Sequence, residues 1–322
     1  MKKKYYRYDL SGNFLGSYKT LATASAESGV PITTIWELLN DKKKTYSGAD
    51  LWTREESLDV DGHNGPKILI FDLESTPMVS YNFGLFKQNI GIGQVIEKPH
   101  LISWAATWYG SDEVFGDVNT SSEMIGHDDS RITASLWRVL DEADIVVAHY
   151  GNKFDIPLAR TRFIANGMPP TSPFKSVDTK QVSSRYFKMY SNKLDALATM
   201  FGIEGKFDTN FDLWKRCMEG NDDALDEMFK YNLQDVEVLQ AVYVKLLPFM
   251  DNHPNMNVYT TDDVPVCTKC GSTHLTPIKT KITTSINVFN AYRCDDCGGI
   301  SRDRKGTLTK RKRKSIITSI NN

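Results

Sequence analysis

The chain has 322 residues, of which 40% are hydrophobic and 25% are charged, and its formal net charge is −1. This composition is ordinary for a soluble globular protein of about two or three domains, and it excludes a global basic field, so any affinity for nucleic acid must come from local patches. No apolar run approaches the roughly 18 residues of a membrane span, and the basic start lacks the apolar core of a signal peptide, which together predict a cytoplasmic protein without a membrane partner.

Residues 1–55 are the first predicted unit. Two short strands flank the turn Ser11-Gly12-Asn13, and the helix that follows them ends at Gly29. Pro31 suits the first turn of a second helix, which runs to about Leu39. Helix, glycine-containing turn and helix form the helix-turn-helix pattern, and a small structural hairpin is the alternative.

A resemblance favours DNA binding by this unit. The order Tyr-Asp-Leu-x-Gly-Asn-Phe-x-Gly-x-Tyr, followed by Leu-Ala-x-Ala-Ser and Gly-x-x-Leu-Trp, resembles a NUMOD-type module. Such modules are helix-turn-helix units appended to homing endonucleases, so the likeness implies contact with duplex DNA and a phage or mobile-element setting. The candidate contacts are Thr33 and Thr34 on the second helix and the run Lys42, Lys43 and Lys44, unless that run is only a solvated surface.

A polar linker leads to Ile68–Thr76, which has the composition of a buried strand that ends in carboxylates. Because alternate side chains of a strand share a face, Asp72 and Glu74 are expected to point the same way. Two carboxylates so close raise each other's pKa unless a cation lies between them. The pair therefore suits one half of a hard-metal site, although most Asp-x-Glu pairs are simply strands that enter a polar turn.

The following residues alternate between strand and helix patterns. Leu101–Tyr109 and Glu113–Val118 are predicted strands, and Asp128 or Asp129 is the predicted cap of a helix that ends near Ala143. Ile145–Ala148 is a continuous apolar run, typical of a central strand buried on both faces. This order predicts an α/β domain over residues 66–250, with a mixed β-sheet flanked by helices.

Three aromatic residues fall between the first two of these strands. Tyr81, Phe83 and Phe86 lie in a stretch without clear periodicity. They either stack on unpaired 3′ bases, as aromatic rings do in single-strand sites, or pack in the core.

A long helix over about Asp222–Phe249 supplies further polar residues. Tyr231 and Asp235 are four residues apart and so share one face of this helix. Asp155 follows the Ile145–Ala148 strand, near the sheet edge where α/β proteins carry their sites. The predicted result is a cage of four carboxylates that would not fold tightly without cations, and two Mg²⁺ or Mn²⁺ ions are the expected occupants.

Three motifs in this order carry a second resemblance. Phe-Asp-Leu-Glu, Gly-Asn-Lys-Phe-Asp and Tyr-x-x-x-Asp resemble the DnaQ-like DEDD 3′–5′ exonucleases of the RNase H-like superfamily, in the tyrosine (DEDDy) branch shared by proofreading domains of family B DNA polymerases. The likeness implies an RNase H-like fold and two-metal hydrolysis. Asp72 would bridge both ions, Glu74 and Asp235 would complete the first, and Asp155 would hold the second. Tyr231 would orient the attacking water.

The second of these motifs has two notable positions. Lys153 within it is a candidate contact to nucleic acid, whereas Tyr150 stands where the polymerase domains usually have Asn. His149, Asp178 and Asp195 are interpreted as structural residues at strand ends and caps.

Two Cys-x-x-Cys pairs define the next unit, residues 264–305. Cys267, Cys270, Cys294 and Cys297 are each part of a pair followed by Gly, which predicts a zinc ribbon with one structural Zn²⁺ and leaves two redox dithiols as the weaker alternative. Residues 306–322 form a basic tail. Within it Lys310, Arg311, Lys312 and Arg313 are candidate contacts to nucleic acid, with a solvated tail as the alternative.

Together these units predict a free-standing, metal-dependent 3′–5′ exonuclease acting on DNA. Its substrate would be a single-stranded 3′ end, with duplex held by the N-terminal module, and RNA is a possible partner. Two alternatives keep the fold but change the substrate, namely an RNA exonuclease and a structure-specific DNA endonuclease. A third is a DNA-binding adaptor with an inactive nuclease core.

Overall fold

A computed structural model describes residues 5–8, 14–39, 51–53, 65–204, 209–260 and 264–318. The chain divides into two compact units, Met1–Asn64 and Gly65–Asn322. Across these described segments, no helix combines the length and apolar character needed to cross a membrane.

The first unit combines a three-stranded antiparallel sheet with two helices. Strands β1 (Tyr5–Tyr8), β2 (Phe14–Tyr18) and β3 (Leu51–Thr53) pair in the order β2-β1-β3. Helix α1 (Leu21–Ser28) begins at a Thr20 cap and ends at Gly29, whose φ of 73° is the left-handed conformation that glycine tolerates. Helix α2 is Ile32–Leu38. The predicted helix pair is therefore present, and the turn at Ser11–Asn13 lies outside the described residues.

The two threonines that are candidate DNA contacts differ in exposure. Thr33 is exposed, as expected for the outer face of α2, but Thr34 is only 8% exposed. Thr34 is four residues from Leu38, so both lie on the face that packs inward with Ile35. Lys42, Lys43 and Lys44 lie outside the described residues.

The second unit is built on a five-stranded mixed sheet, which confirms the predicted α/β class. Its strands are β4 (Ile68–Ser75), β7 (Leu101–Trp108), β8 (Val114–Val118), β9 (Ile145–Ala148) and β10 (Lys175–Asp178), in the order β10-β9-β4-β7-β8. Strands β10, β9 and β4 are parallel, whereas β7 and β8 run antiparallel to their neighbours. Strand β10 was not predicted, because the strand with which it pairs, β9, lies about 30 residues earlier in the chain.

Helices cover both faces of this sheet. They are α3 (Ser121–Ile125), α4 (Ser130–Asp141), α5 (Asp155–Ala165), α6 (Thr179–Tyr186), α7 (Leu194–Phe201), α8 (Phe211–Met218) and α9 (Asp222–Leu246). Leu69 and Phe71 of β4 pack towards α4 and α5, while Ile68 and Ile70 pack towards α7 and α9. The period of two along β4 thus determines which of its residues lie beneath α9.

Helix α9 lies very close to the sheet. At Gly116 of β8, a β-carbon would come within 2.2 Å of the Trp104 carbonyl oxygen and 3.0 Å of the Phe229 ring. The missing side chain lets α9 approach the strands near the candidate site. The helix ends in a 3-10 turn at Leu247–Phe249, where Pro248 cannot continue the α-helical hydrogen bonds.

A hairpin leaves the sheet between β4 and β7. It contains two short strands, β5 (Val79–Ser80) and β6 (Val95–Glu97). A 3-10 turn at Ile92–Gln94 directly precedes β6. The sequence analysis did not predict these strands, because they are only two and three residues long.

The C-terminal part of the second unit is a small antiparallel sheet. Strands β11 (Leu275–Thr283), β12 (Val288–Cys294) and β13 (Ile300–Arg302) pair in that order and are followed by α10 (Lys310–Lys314). Lys269 is 6% exposed, and its ammonium donates a hydrogen bond to the Pro248 carbonyl oxygen at 2.6 Å. Met256 and Cys270 pack against the same apolar cluster as α9. The cysteine-bearing segment is thereby fastened to the end of α9.

Candidate active site

Strand β4 carries the first two carboxylates of the candidate site. Asp72 and Glu74 continue the row begun by Ile68 and Ile70, so they lie on the face that α9 covers. Strand β9 pairs with β4 only as far as Ile70, so the carboxylates sit where the parallel ladder has ended. The sequence analysis predicted this shared face.

Helix α9 brings Tyr231, Asn232 and Asp235 to the same place. One oxygen each of Asp72, Glu74 and Asp235 lie within 4.8 Å of one another. Asn232 is fully buried between helix and sheet, and its amide donates to an Asp72 oxygen at 2.8 Å while it accepts from Ser103 Oγ at 3.0 Å. Asn232 therefore holds Asp72 in one orientation. The sequence analysis missed it, although it stands directly after Tyr231.

Asp155 lies beside this group but faces the strand. It begins α5, is 2% exposed, and accepts a hydrogen bond from the Leu73 backbone N–H at 3.4 Å. The position puts it directly beyond the end of β9, where the β4 backbone has no strand neighbour on that side. The Asp155 carboxylate is close enough to Asp72 and Glu74 for its negative charge to raise the pKa of both carboxyls. All four predicted acids are thus close together, three in one cluster and the fourth at its edge.

The carboxyl groups are strongly perturbed. Burial raises the pKa of Asp72 well above its ordinary value, with further increases from Asp155, Glu74 and Asp235. Burial and neighbouring carboxylates raise the pKa of Glu74 to about 8, and burial raises the pKa of Asp155 to about 7 and that of Asp235 to about 6. Such shifts are typical of carboxyl groups that are buried first of all and also lie close to one another.

The donor set fits divalent cations. Within the described residues, no Lys or Arg forms an ion pair with these four acids. Asp72, Glu74 and Asp235 keep part of their surface exposed, so ions and substrate can reach them. An all-oxygen cluster of this kind suits Mg²⁺ or Mn²⁺ better than softer metals.

Tyr231 and Trp214 complete the polar group. Burial raises the pKa of the Tyr231 phenol, and the neighbouring Asp235 carboxylate raises it further, so the hydroxyl keeps its proton at neutral pH. The Trp214 ring of α8 packs edge-on against Tyr231 with the ring centroids 6.4 Å apart. Its side chain also lowers the pKa of Glu74, against the larger effect of burial. Trp214 was missed because it looks like an ordinary apolar residue of an amphipathic helix.

An open cleft of about 690 Å³ adjoins this group. Ser75 and Trp214 line it on the side of Glu74, and Lys153 lines it too. Phe154 and Phe211 also line it and are 44% and 60% exposed. The cleft therefore combines one cation with exposed aromatic faces beside the carboxylates.

The loop between β9 and α5 is held by Asp178. Its carboxylate accepts from the backbone N–H groups of Tyr150 at 3.1 Å, Asn152 at 3.2 Å and Gln181 at 3.0 Å. Tyr150 adopts a φ of 70° and is 44% exposed, with the Lys180 ammonium 3.9 Å from its ring centre. Asp178 is a structural cap, as interpreted from the sequence.

His149 also has a structural role. Its two ring nitrogens lie 2.9 Å from Thr179 Oγ1 and 3.0 Å from the Asn192 carbonyl oxygen. Both nitrogens are occupied, which agrees with the structural interpretation of this residue.

The four paired cysteines form a second candidate metal centre. Their sulfurs lie within 4.8 Å of one another, with Cys267 and Cys297 3.6 Å apart and Cys270 and Cys294 3.5 Å apart. Gly271 and Gly298, directly after each pair, have φ values of 80° and 76°, the left-handed conformation that closes each turn. Four thiols at these separations suit a tetrahedral ion such as Zn²⁺.

The basic segment beyond the cysteines is exposed. Lys310, Arg311, Lys312 and Arg313 all lie on α10, which is capped by Thr309. Residues 264–318 contain 12 Lys and Arg against three Asp and Glu, whereas the whole chain has 39 against 40. This segment is the local basic patch that the composition requires if the protein binds nucleic acid.

Comparison with known proteins agrees with the fold. The family model RNase_H_2, described as RNase H superfamily, matches residues 110–247, a range that contains Asp155, Tyr231 and Asp235 and begins after β4. The mixed sheet and its helices are consistent with an RNase H-like core, and the match supports a nuclease.

Among solved structures, the family B DNA polymerase from the hyperthermophilic archaeon Pyrobaculum calidifontis is similar at 18% identity and a TM-score of 0.44. The alignment covers 62% of this chain and only 27% of the polymerase. No curated protein matches the sequence.

Proposed function

We propose that this protein is a metal-dependent 3′–5′ exonuclease that hydrolyses DNA. The observation that carries the proposal is the convergence of Asp72 and Glu74 with Asp235 beneath α9, within 4.8 Å and without a protein cation among the described residues. Asp155 and Tyr231 stand at the edge of this group, in the order and on the elements where the exonuclease motifs place them. The RNase H superfamily match gives independent support.

The proposed metal ligands are the four acids. Asp72, Glu74, Asp155 and Asp235 would hold two Mg²⁺ or Mn²⁺ ions, and bound ions would offset the charge of the scissile phosphate and favour ionisation of the attacking water. Asn232 fixes the orientation of Asp72 through its amide hydrogen bond.

In this proposal, a side chain of the protein positions the attacking water. Tyr231 would keep its phenolic proton beside Asp235, and its hydroxyl would orient a water for in-line attack on the terminal phosphodiester. Hydrolysis adds one water across the bond between phosphorus and the 3′ oxygen. The departing 3′ oxygen takes a proton and the terminal nucleotide leaves as a 5′-monophosphate.

Binding of the substrate is assigned to three regions. The cleft with Lys153 would take the 3′ end, and α10 with its basic side chains would contact the phosphate backbone. The helix pair of residues 1–55 would contact duplex DNA, with Thr33 as its exposed contact on α2. One Zn²⁺ held by the four cysteines would stabilise the ribbon of residues 264–305.

The decisive test uses DNA and RNA labelled at the 5′ or the 3′ end, incubated with Mn²⁺. Shortening of 5′-labelled DNA into a ladder, with release of labelled mononucleotide from the 3′ end, is the expected result. Faster degradation of RNA would favour an RNA exonuclease, and cuts in circular DNA would favour an endonuclease. Asp72→Ala and Asp235→Ala should each abolish activity without unfolding the protein, and full activity in both variants would refute the assignment.

A further inference from the structure

Ser103 and Asn232 form a buried relay of two hydrogen bonds that ends on Asp72. Ser103 Oγ donates to Asn232 Oδ1 at 3.0 Å, and the Asn232 amide donates to Asp72 Oδ2 at 2.8 Å. Both Ser103 and Asn232 are 0% exposed. Because water is excluded from both side chains, the protein itself has to supply each hydrogen-bond partner. The relay therefore links β7, α9 and β4 at the acid cluster.

The Ser103 hydroxyl determines which end of the Asn232 amide faces Asp72. An asparagine amide has an oxygen that accepts and an NH₂ group that donates, and its terminal torsion has two favoured settings that exchange these ends. An ionised carboxylate only accepts, so it requires the NH₂ end. Ser103 pairs with the oxygen end. Without this hydroxyl, either setting would leave a buried polar atom of the amide without a partner, and the hold on Asp72 would be lost.

The pairing of β4 with β7 explains why the hold comes through α9. Ser103 is the cross-strand partner of Glu74, whereas the partner of Asp72 is Ala105. Paired residues share a face of the sheet, so Ser103 lies on the face that α9 covers. The Ala105 methyl group cannot form a hydrogen bond with Asp72. The Asn232 amide spans the distance from Ser103 to Asp72 instead.

A carboxylate that is held in this way cannot turn freely. One oxygen each of Asp72, Glu74 and Asp235 lie within 4.8 Å of one another. If Asp72 turned, its oxygens would move relative to those of Glu74 and Asp235, and Oδ2 would leave the Asn232 amide. The relay therefore fixes the geometry that Asp72 offers to an ion.

Fixed geometry favours a small ion over a large one. Mg²⁺ binds oxygen ligands at about 2.0–2.1 Å and demands near-octahedral geometry, whereas Ca²⁺ binds at about 2.3–2.6 Å and often takes both oxygens of one carboxylate. To give Ca²⁺ both oxygens, Asp72 would have to turn away from Asn232 and lose its hydrogen bond. A single oxygen in a fixed position is what Mg²⁺ requires.

We infer that Ser103 and Asn232 are positioning residues that shift the preference of the acid cluster towards Mg²⁺ and away from Ca²⁺, by preventing Asp72 from turning. The inference rests on the proposed function and adds to it the means by which the site discriminates between ions.

Ion binding by the full chain tests the inference. Binding of Mn²⁺ is followed by electron paramagnetic resonance, and the dissociation constants of Mg²⁺ and Ca²⁺ are obtained from their displacement of Mn²⁺. Mn²⁺ at the acid cluster is identified as the part of the binding that Asp72→Ala removes. The variants are Ser103→Ala, which leaves the amide in place, and Asn232→Leu, which removes the amide at nearly the same volume.

Ser183→Ala is the matched control. Ser183 is also 0% exposed, and its Oγ donates to Asn192 Oδ1 at 2.8 Å. This variant therefore removes a buried hydrogen bond of the same kind between serine and asparagine, but one that does not lead to the acid cluster.

The measured quantity is the ratio of the Ca²⁺ dissociation constant to the Mg²⁺ dissociation constant. Ser103→Ala and Asn232→Leu should each lower this ratio by at least about tenfold, chiefly through weaker Mg²⁺ binding, while Ser183→Ala leaves it unchanged. General damage to the site would weaken both ions alike and keep the ratio, so an unchanged ratio in Ser103→Ala overturns the inference. If Asn232→Leu does not fold, Ser103→Ala decides the question alone.

The wild-type measurement separates this result from failure of the proposed function. If the wild-type chain and Asp72→Ala bind Mn²⁺ equally, the acid cluster is not a metal site, and both the proposed function and the inference are refuted. If binding depends on Asp72 but the ratio does not depend on Ser103, only the role of the relay is refuted.

Discussion

Replacing Glu74 with Gln should stabilise the protein when Mg²⁺ and Mn²⁺ are absent. Burial, followed by the charges of Asp235 and Asp155, raises the pKa of Glu74 from 4.5 to about 8. The folded protein therefore keeps a proton at pH 7 that the unfolded chain releases. Keeping this proton lowers the free energy of unfolding at pH 7 by at most about 3 kcal/mol, because pH 7 lies about 2.5 units above the ordinary pKa.

The sign of the pH dependence follows from the raised pKa. Well below pH 4.5 the Glu74 carboxyl is protonated in both the folded and the unfolded state, so it does not lower the free energy of unfolding. As the pH rises towards 8, the unfolded state loses its proton first, so the free energy of unfolding of the wild-type protein should fall. Glutamine has no proton to lose and nearly the same size as glutamate. The variant should show a flatter profile.

Denaturant unfolding from pH 5 to pH 8, in buffer without added Mg²⁺ or Mn²⁺, measures this difference. Adding Mn²⁺ should stabilise the wild-type protein and reverse its loss of stability at high pH, but should have little effect on Glu74→Gln. Glu237→Gln, at an exposed position on α9, is the matched control and should behave like wild type. A pH-independent wild-type profile, or a Glu74→Gln variant less stable than wild type without metal, would refute the electrostatic reasoning.

Three further predictions concern the hydroxyl, the cysteines and the basic helix. Tyr231→Phe should lower kcat by about 10²-fold with little change in KM, because it would remove the hydroxyl proposed to orient the water and leave the proposed metal ligands in place. Steady-state assays with labelled DNA check this, and an unchanged kcat would contradict it. Cys294→Ser should lower the unfolding midpoint of the domain that carries α9, measured by calorimetry. The reason is that the Lys269 hydrogen bond to Pro248 joins the cysteine-bearing segment to that domain. A separate low-temperature transition, with the main one unchanged, would show that the segment and the domain unfold independently. Changing the basic residues of Lys310–Lys314 to Ser should reduce the salt dependence of DNA binding. The slope of log Kd against log salt concentration should be lower by about 3 than in the wild-type protein. An equal slope would show that this helix does not contact phosphates.

The capping of α4 shows how far local signals reach. The sequence predicted a cap at Asp128 or Asp129, and the helix does begin at Ser130. Asp128 accepts from the Ser130 N–H at 2.9 Å. Asp129 instead turns inward to the Arg162 guanidinium at 2.6 Å and the Leu101 N–H at 2.9 Å. The choice between two adjacent aspartates depended on α5 and β7, which local sequence does not describe.

The sequence by itself determined most of the longer elements and the order of their chemical groups. The period of two put Asp72 and Glu74 on one face of β4, and the period of about 3.6 put Tyr231 and Asp235 on one face of α9. The apolar run Ile145–Ala148 and the cysteine pairs could also be recognised from the sequence, because each of these signals is contained within a few neighbouring residues.

Only the tertiary structure decided which distant groups meet. Asn232 and Asp72 are 160 residues apart, and their hydrogen bond exists because α9 packs closely over β4. Burial of Thr34 and exposure of Phe83 likewise depend on what the rest of the chain covers. Hydrogen-bond partners and solvent exposure are properties of packed surfaces, so no pattern along the chain specifies them.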